Sequence, residues 1–404
     1  MSEVVVTGIG VAAPNGVGAE EYWKAVVAGE SGIRPISRFD TARYPIKLAG
    51  EVPEFDAEQD FTRRLMPQTD RLTRLALFAA EFALEDAEIV PEELPSYSMG
   101  VAVSSSTGGL EFGQRELQAL WGTGWESVSA YMSFAWYYAV HTGQISIRYG
   151  MQGPSGVVVS EQAGGLDALG YARRRVRKGT AVMTAGGLDG LICPYGVAIQ
   201  SSTGEVGTGT DPERAYLPFH LDSAGHAIGE GGAVLVLESR EDAERRGAPR
   251  LYGTLAGYGA AFDPDPAGPG GDGLVRAARQ ALADAGRSAQ DVDVVFADAA
   301  GTSALDRAEA DALCTLFGER GVPVAAPKAL TGRLLSGGGP LDVATALLAI
   351  RDGLVPAVAA APPGRVDPRI DLVAGAPRSL EIGTALVLAR GRGGFASALV
   401  LTGP

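Results

Sequence analysis

The 404-residue chain is 46% hydrophobic and 20% charged, enough apolar material for a large core in one big domain or two fused ones. Its formal charge of −14 disfavours nucleic acid or an anionic membrane as partner, because both reward clustered Lys and Arg. Cys193 and Cys314 stand far apart with no further Cys or His at ligand spacing, so neither a disulfide framework nor a metal site is supported.

Val4-Val5-Val6-Thr7-Gly8-Ile9-Gly10 reads as an apolar strand closed by glycines, and the residues before it form neither a basic n-region nor an apolar leader. No later stretch reaches about 18 apolar residues, so a cytoplasmic protein without membrane spans is expected. A helix is predicted from Glu20, stopped by Gly29, and another from Arg74 to Ala87 with Leu75, Phe78, Phe82 and Leu84 as its apolar stripe. Val157–Val159 reads as a strand leading into the helical Gly164-Gly165-Leu166-Asp167. The run Arg173-Arg174-Arg175-Val176-Arg177-Lys178 then reads as a solvated helix end, where cations suit the dipole. Thr180–Gly187 repeats the strand-then-glycine style, and the Pro- and Gly-rich stretches 263–273 and 361–364 read as surface loops.

This alternation is the pattern of an α/β protein. A weak internal repeat sharpens it: Ala83-Leu84-Glu85-Asp86-Ala87, before a strand running into Ser104-Ser105-Ser106-Thr107, is echoed by Ala281-Leu282-Ala283-Asp284-Ala285, before one running into Ala299-Ala300-Gly301-Thr302. Gly164-Gly165-Leu166-Asp167 is likewise echoed by Gly338-Gly339-Pro340-Leu341-Asp342. Duplicated halves, 1–250 and 251–404, are expected to meet near residues 245–252.

Four segments carry a family resemblance: Val6-Thr7-Gly8-Ile9-Gly10-Val11, Ile36-Ser37-Arg38-Phe39-Asp40, the long block Leu217–Glu238, and the closing Gly391–Leu401. In them the chain resembles the β-ketoacyl synthases of the thiolase superfamily, and more closely the chain length factors, or ketosynthase β subunits, of bacterial type II aromatic polyketide synthases. The resemblance implies a thiolase-like fold, duplicated halves in a layered αβαβα arrangement. Active relatives carry a cysteine between a strand and a helix, where helix dipoles lower the thiol pKa and backbone N–H groups hold the thioester oxyanion.

By that resemblance Gln162 replaces the nucleophile, and a neutral amide forms no acyl thioester. The family's two catalytic histidines fall on Asp298 and Arg333, while Lys328 keeps the family's residue type. No catalytic residue is therefore expected. An anion and a cation in place of two neutral donors predict an Asp298–Arg333 ion pair plugging the site. Gln162 itself is expected to be a buried amide hydrogen-bonded to neighbouring backbone. Cys193 and Cys314 are read as small buried hydrophobes, and His141, His220 and His226 as structural.

The resemblance further implies a heterodimer with a cysteine-bearing ketosynthase α subunit, served by acyl carrier protein, the polyketide growing in a tunnel at the interface. Its lining positions fall on Leu110, Gly113 and Leu117, one stripe of a helix, with Tyr195 deeper in the passage. No aromatic group blocks that stripe, so a medium to long polyketide is expected. No cofactor is expected to bind tightly, since the carrier's phosphopantetheine arm would visit the partner. The aromatic cluster Phe134-Ala135-Trp136-Tyr137-Tyr138, with Trp121 and Trp125, is either dimer interface or interior packing. Two further readings compete: a malonyl-carrier-protein decarboxylase using Gln162, and a scaffold on a degenerate ketosynthase fold.

Overall fold

The computed structural model describes residues 2–53, 65–265, 272–358 and 365–404. The expected loops at 263–273 and 361–364 fall largely outside those residues. The apolar opening forms β1 (Val4–Ala13), buried throughout. With β2 (Met99–Ser104), β3 (Ser155–Gly156), β4 (Val182–Asp189) and β5 (Gly231–Ser239) it builds half a sheet in the order β1-β5-β4-β2-β3, antiparallel at the first two junctions and parallel at the last two. The second half uses β6 (Gly253–Phe262), β7 (Val294–Phe296), β8 (Pro323–Ala325), β9 (Asp371–Leu372), β10 (Thr384–Gly391) and β11 (Phe395–Thr402). Their order β6-β11-β10-β7-β8 repeats the same sequence of junctions, with β9 added at the edge. The halves join where β1 pairs antiparallel with β6, Val5 opposite Thr254. Val157–Val159, expected as strand, follow the short β3 outside the ladder.

Among the described residues the helices of eight residues or more are α1 (Ala19–Ala28, ended by Gly29 at φ 72°), α2 (Arg71–Asp86), α3 (Leu110–Gly122), α4 (Val140–Arg148), α5 (Gly164–Val176), α6 (Pro194–Ser201), α7 (Gly273–Asp284), α8 (Ser303–Phe317) and α9 (Gly338–Asp352). Strand alternation sorts them into layers. Leu235 and Leu237 of β5 and Val387 of β10 turn to a central core shared with Leu166 and Leu169 of α5 and Leu341 and Leu347 of α9. Val234 and Val236 turn the other way, onto α2 and α4, and Leu386 and Leu388 turn onto α7 and α8. The result is the αβαβα stack of a thiolase-like fold.

The duplication extends to packing detail. A Cβ on Gly8 or Gly10 of β1 would stand 2.1 and 1.8 Å from the carbonyl oxygens of Ala83 and Ala79, and one on Gly257 or Gly259 of β6 would stand 2.0 and 2.2 Å from those of Ala281 and Ala277. The close approach of the helix backbone thus requires glycine at these strand positions in both halves. Part of the apolar stripe of α2 needs correction. Leu75 and Leu84 of that stripe are buried as expected, together with Leu72, Ala76, Ala79 and Ala83, whereas Phe78 and Phe82 are half-buried and stack edge-to-face at 4.6 Å.

The basic run also needs correction. Arg173 is buried, its Nε donating to Leu255 O at 2.6 Å and its Nη1 lying 2.5 Å from Asp284 Oδ2, so it staples α5 to the second half rather than ending in solvent. Among the described residues no helix is long and apolar enough to cross a membrane.

Candidate functional site

The N-termini of α5 and α9 meet at the centre of the molecule, each preceded by a tight turn. Glu161 (φ 51°) and Leu335 (φ 49°) both adopt the left-handed conformation that non-glycine residues avoid, each three residues ahead of its helix's first glycine. Gln162 and Ser336 are therefore equivalent positions of the two halves. Ser336 is well held, its Oγ 2.7 Å from Ser106 Oγ and its N–H donating to Asp189 Oδ2 at 2.9 Å.

Gln162 is buried and turned toward α9, where a Cβ on Gly338 would stand 2.3 Å from its Nε2. Neither Nε2 nor Oε1 has a hydrogen-bond partner among the described residues, which overturns the expected bond to neighbouring backbone. Such a group costs folding free energy, so Gln162→Met, similar in length without the amide, is expected to stabilise by about 1–3 kcal/mol in chemical denaturation of the purified chain. Destabilisation instead would show the amide to be satisfied in solution.

Asp298 and Arg333 do pair. Arg333 Nη2 donates to Asp298 Oδ1 at 3.0 Å and its Nη1 to Asp298 O at 3.1 Å. The cluster is larger than a pair. Arg390 donates its backbone N–H to Asp298 Oδ1 at 2.9 Å, its Nε to Asp298 Oδ2 at 3.1 Å, and its Nη2 to Glu309 Oε2 at 3.1 Å. Glu309 in turn accepts the N–H groups of Asp298 and Ala299, both at 2.8 Å. Burial alone would raise the Asp298 pKa, but Arg333 and Arg390 outweigh it and hold the carboxyl below its usual range. Burial pushes the Glu309 carboxyl up to about 7, so Asp298 is the settled anion of the cluster, and the two buried guanidiniums share it and the Glu309 carboxyl to close the site.

Lys328 stands beside this cluster, its Nζ 2.6 Å from Asp342 Oδ2, and burial pushes the Asp342 carboxyl up to about 6 despite that cation. What remains open is a cavity of about 70 Å³ bounded by Glu161, His226, Arg333, Arg390 and Arg392. His226 therefore borders the site, its Nδ1 3.2 Å from Ala300 O, and burial holds its pKa down to about 3, so it is a neutral ring. His141 is buried against Val103 O, and His220 Nδ1 accepts the Asp222 N–H, both away from the cavity. Cys193 is buried at the start of α6, whereas Cys314 is only half-buried.

Models for the β-ketoacyl synthase N-terminal domain and C-terminal domain match residues 1–243 and 252–361. The chain belongs to the β-ketoacyl synthase family. Among relatives of this β-ketoacyl synthase family member, the actinorhodin polyketide putative β-ketoacyl synthase 2 of Streptomyces coelicolor is 54% identical over 98% of both chains. The tetracenomycin polyketide synthase ketoacyl synthase β subunit of Streptomyces glaucescens is also 54% identical over 98% of both. Of solved structures, the ishigamide ketosynthase/chain length factor superposes with a TM-score of 0.92 at 28% identity, covering 100% of this chain and 99% of the other. A type II polyketide synthase acyl-carrier protein in complex with its ketosynthase bound to the hexaketide superposes with a TM-score of 0.88 at 26% identity, covering both chains fully.

Within this β-ketoacyl synthase fold, Leu110, Gly113 and Leu117 lie along α3, and Gln114 Oε1 accepts the Tyr195 N–H at 2.7 Å, which brings α6 against the same helix. Leu117 is 39% and Tyr195 46% exposed, so the stripe is not enclosed within this chain. The aromatic cluster is no interior packing: Trp121 and Trp125 are 83% and 76% exposed, and Trp136, Tyr137 and Tyr138 are exposed as well. Sequence reasoning passed over Arg390 and Glu309. The available signal was an arginine directly before the closing glycine motif, at the end of an otherwise apolar strand.

Proposed function

We propose that this chain is the non-catalytic, chain-length-determining subunit of a type II polyketide ketosynthase, paired with a cysteine-bearing α subunit and lining the polyketide tunnel at their interface. The observation that carries the reading is the buried Asp298–Arg333–Arg390–Glu309 cluster where condensing relatives need a thiol and two neutral proton-handling groups. Gln162 cannot be acylated, Asp298 accepts hydrogen bonds and repels a malonyl carboxylate, and Arg333 keeps its proton. Lys328 is engaged with Asp342 as a structural pair.

Two surface features support a partner. β3 is an edge strand hydrogen-bonded on one side, followed by exposed Val159. Ser104 holds Val158 O at 2.6 Å and Gly109 donates to Trp136 O at 3.0 Å, so the free edge and the exposed aromatics flank one loop. The partner's cysteine receives the carrier protein's phosphopantetheine arm, and no cofactor is held tightly by this chain. The complex works in the cytoplasm.

The unpartnered Gln162 amide favours a second reading, decarboxylation of malonyl carrier protein, since a free carboxamide can polarise a thioester carbonyl. Against it, Gln162 is only 1% exposed and does not line the small cavity beside the ion cluster, so no acyl thioester reaches its amide in this conformation. The test is to assay the chain alone and co-expressed with its ketosynthase α subunit, using malonyl-loaded carrier protein. Expected are no covalent acylation and no carbon dioxide release alone, and polyketide from the pair. Acylation of the isolated chain would overturn the proposal, and Gln162-dependent release of carbon dioxide would favour the second reading.

A further inference from the structure

Helix α3 begins at Leu110 with Gly109 at its N-cap, and glycine has no side-chain acceptor for the unpaired N–H groups of the first turn. No capping side chain fits there, because a Cβ on Gly109 would stand 2.1 Å from Ala135 O. The acceptor comes from far away in sequence. Asp70 Oδ2 accepts the Phe112 N–H of α3 at 2.7 Å, while its Oδ1 accepts the Leu72 N–H of α2 at 2.9 Å. One carboxylate, 2% exposed, therefore caps two helices at once.

Of those two helices, α2 is fixed on β1 by the glycine–alanine contacts and α3 carries Leu110, Gly113 and Leu117. A second tie acts on the same turn, where Glu111 Oε2 lies 2.6 Å from Arg38 Nη2, and Arg38 Nη1 reaches the buried Glu230 at 3.1 Å. That tie is half-exposed at Glu111, so the buried anchor is Asp70.

We propose that Asp70 is a positioning residue for product length: its double cap sets where α3 stands on the core, and hence how far the side chains of its stripe reach into the tunnel. The inference rests on the chain-length reading above. Asp70 touches no polyketide and acts only through α3.

The test compares Asp70→Ser with Gly113→Trp, each co-expressed with the ketosynthase α subunit and supplied with malonyl-loaded carrier protein, reading the ratio of product lengths and the total output separately. Serine still caps α2 but is too short to reach Phe112 as well. Asp70→Ser is expected to change the ratio of product lengths by about three- to tenfold, the factor that loss of one helix cap represents. An unchanged ratio with falling output means a merely structural role and overturns the proposal. If Gly113→Trp shifts the products and Asp70→Ser does not, only the assignment of Asp70 fails; if neither does while the pair still makes polyketide, the tunnel does not run along α3 and this inference is overturned, whereas a wild-type pair that makes no polyketide overturns the chain-length reading itself. Should Asp70→Ser not assemble, Asp70→Asn, which keeps the volume and one acceptor oxygen, is read by the same criteria.

Discussion

Asp298→Ala is expected to destabilise the chain by about 3–5 kcal/mol, the cost of leaving buried charge uncompensated rather than the worth of the ion pair itself. Arg333 and Arg390 both direct a guanidinium nitrogen at the lost carboxylate, and both are buried among apolar strands. Arg390 keeps Glu309, whereas Arg333 is left with the carbonyls Asp298 O and Arg390 O, the Tyr216 hydroxyl and the field of the Glu161 carboxylate, none of them a directly paired anion. Removing Arg333 as well relieves that problem, so Asp298→Ala/Arg333→Ala is expected to cost less than the sum of the single changes by about 0.5–3 kcal/mol. The sign with pH is fixed too. The Asp298 carboxyl is held below its ordinary value of 3.8, so its contribution is complete above that value and is lost only as pH falls below it. Glu309, pushed up to about 7 by burial and by the Asp298 charge, titrates between pH 5 and pH 8; without Asp298 it ionises more readily, so chemical denaturation is expected to show a smaller loss at pH 8 than at pH 5. A cost near zero would mean that the site is wet and the charges are solvated, which would remove the argument that the ion cluster plugs it.

That cluster was half legible in the sequence. Positions 162, 298 and 333 follow from motifs that fix their place along the chain, and opposite charges at 298 and 333 already demanded one another. Arg390 and Glu309 did not show, because their pairing depends on where the last turn of β10 meets α8, which local pattern does not encode. The same limit explains Gln162. Its surroundings are set by Gly338 of the other half, so a guess based on its neighbours in sequence assigned it bonds it does not make. Arg173 was misread because a helix end in a fused double fold need not face water. For α2 the large rings outweighed alanine in the apolar stripe, although Ala79 and Ala83 are the residues that meet β1. The duplication itself was visible in short echoes, and the two half-sheets match junction for junction.

Gly113→Trp is expected to shorten the principal polyketide by one or more ketide units while leaving chain initiation intact. Gly113 lies on the same stripe of α3 as Leu110 and Leu117, and a Cβ built on it meets only Trp136 Cβ, at an ordinary 3.6 Å. The backbone therefore accepts a side chain without shifting, and the added ring must occupy the space in front of the helix. An indole there fills roughly 150–250 Å² of contact surface, enough to narrow the proposed tunnel where it would pass α3. Initiation should survive because the partner supplies the thiol and nothing around Asp298 or Gln162 changes. Leu117→Phe is expected to act more weakly, since Leu117 is already 39% exposed at the open side and the larger ring can turn away. The measurement is the product-length distribution of the co-expressed pair, normalised to total output. Unchanged lengths from an intact heterodimer would place the tunnel elsewhere, because no polyketide could pass a tryptophan on its own wall without being stopped or diverted.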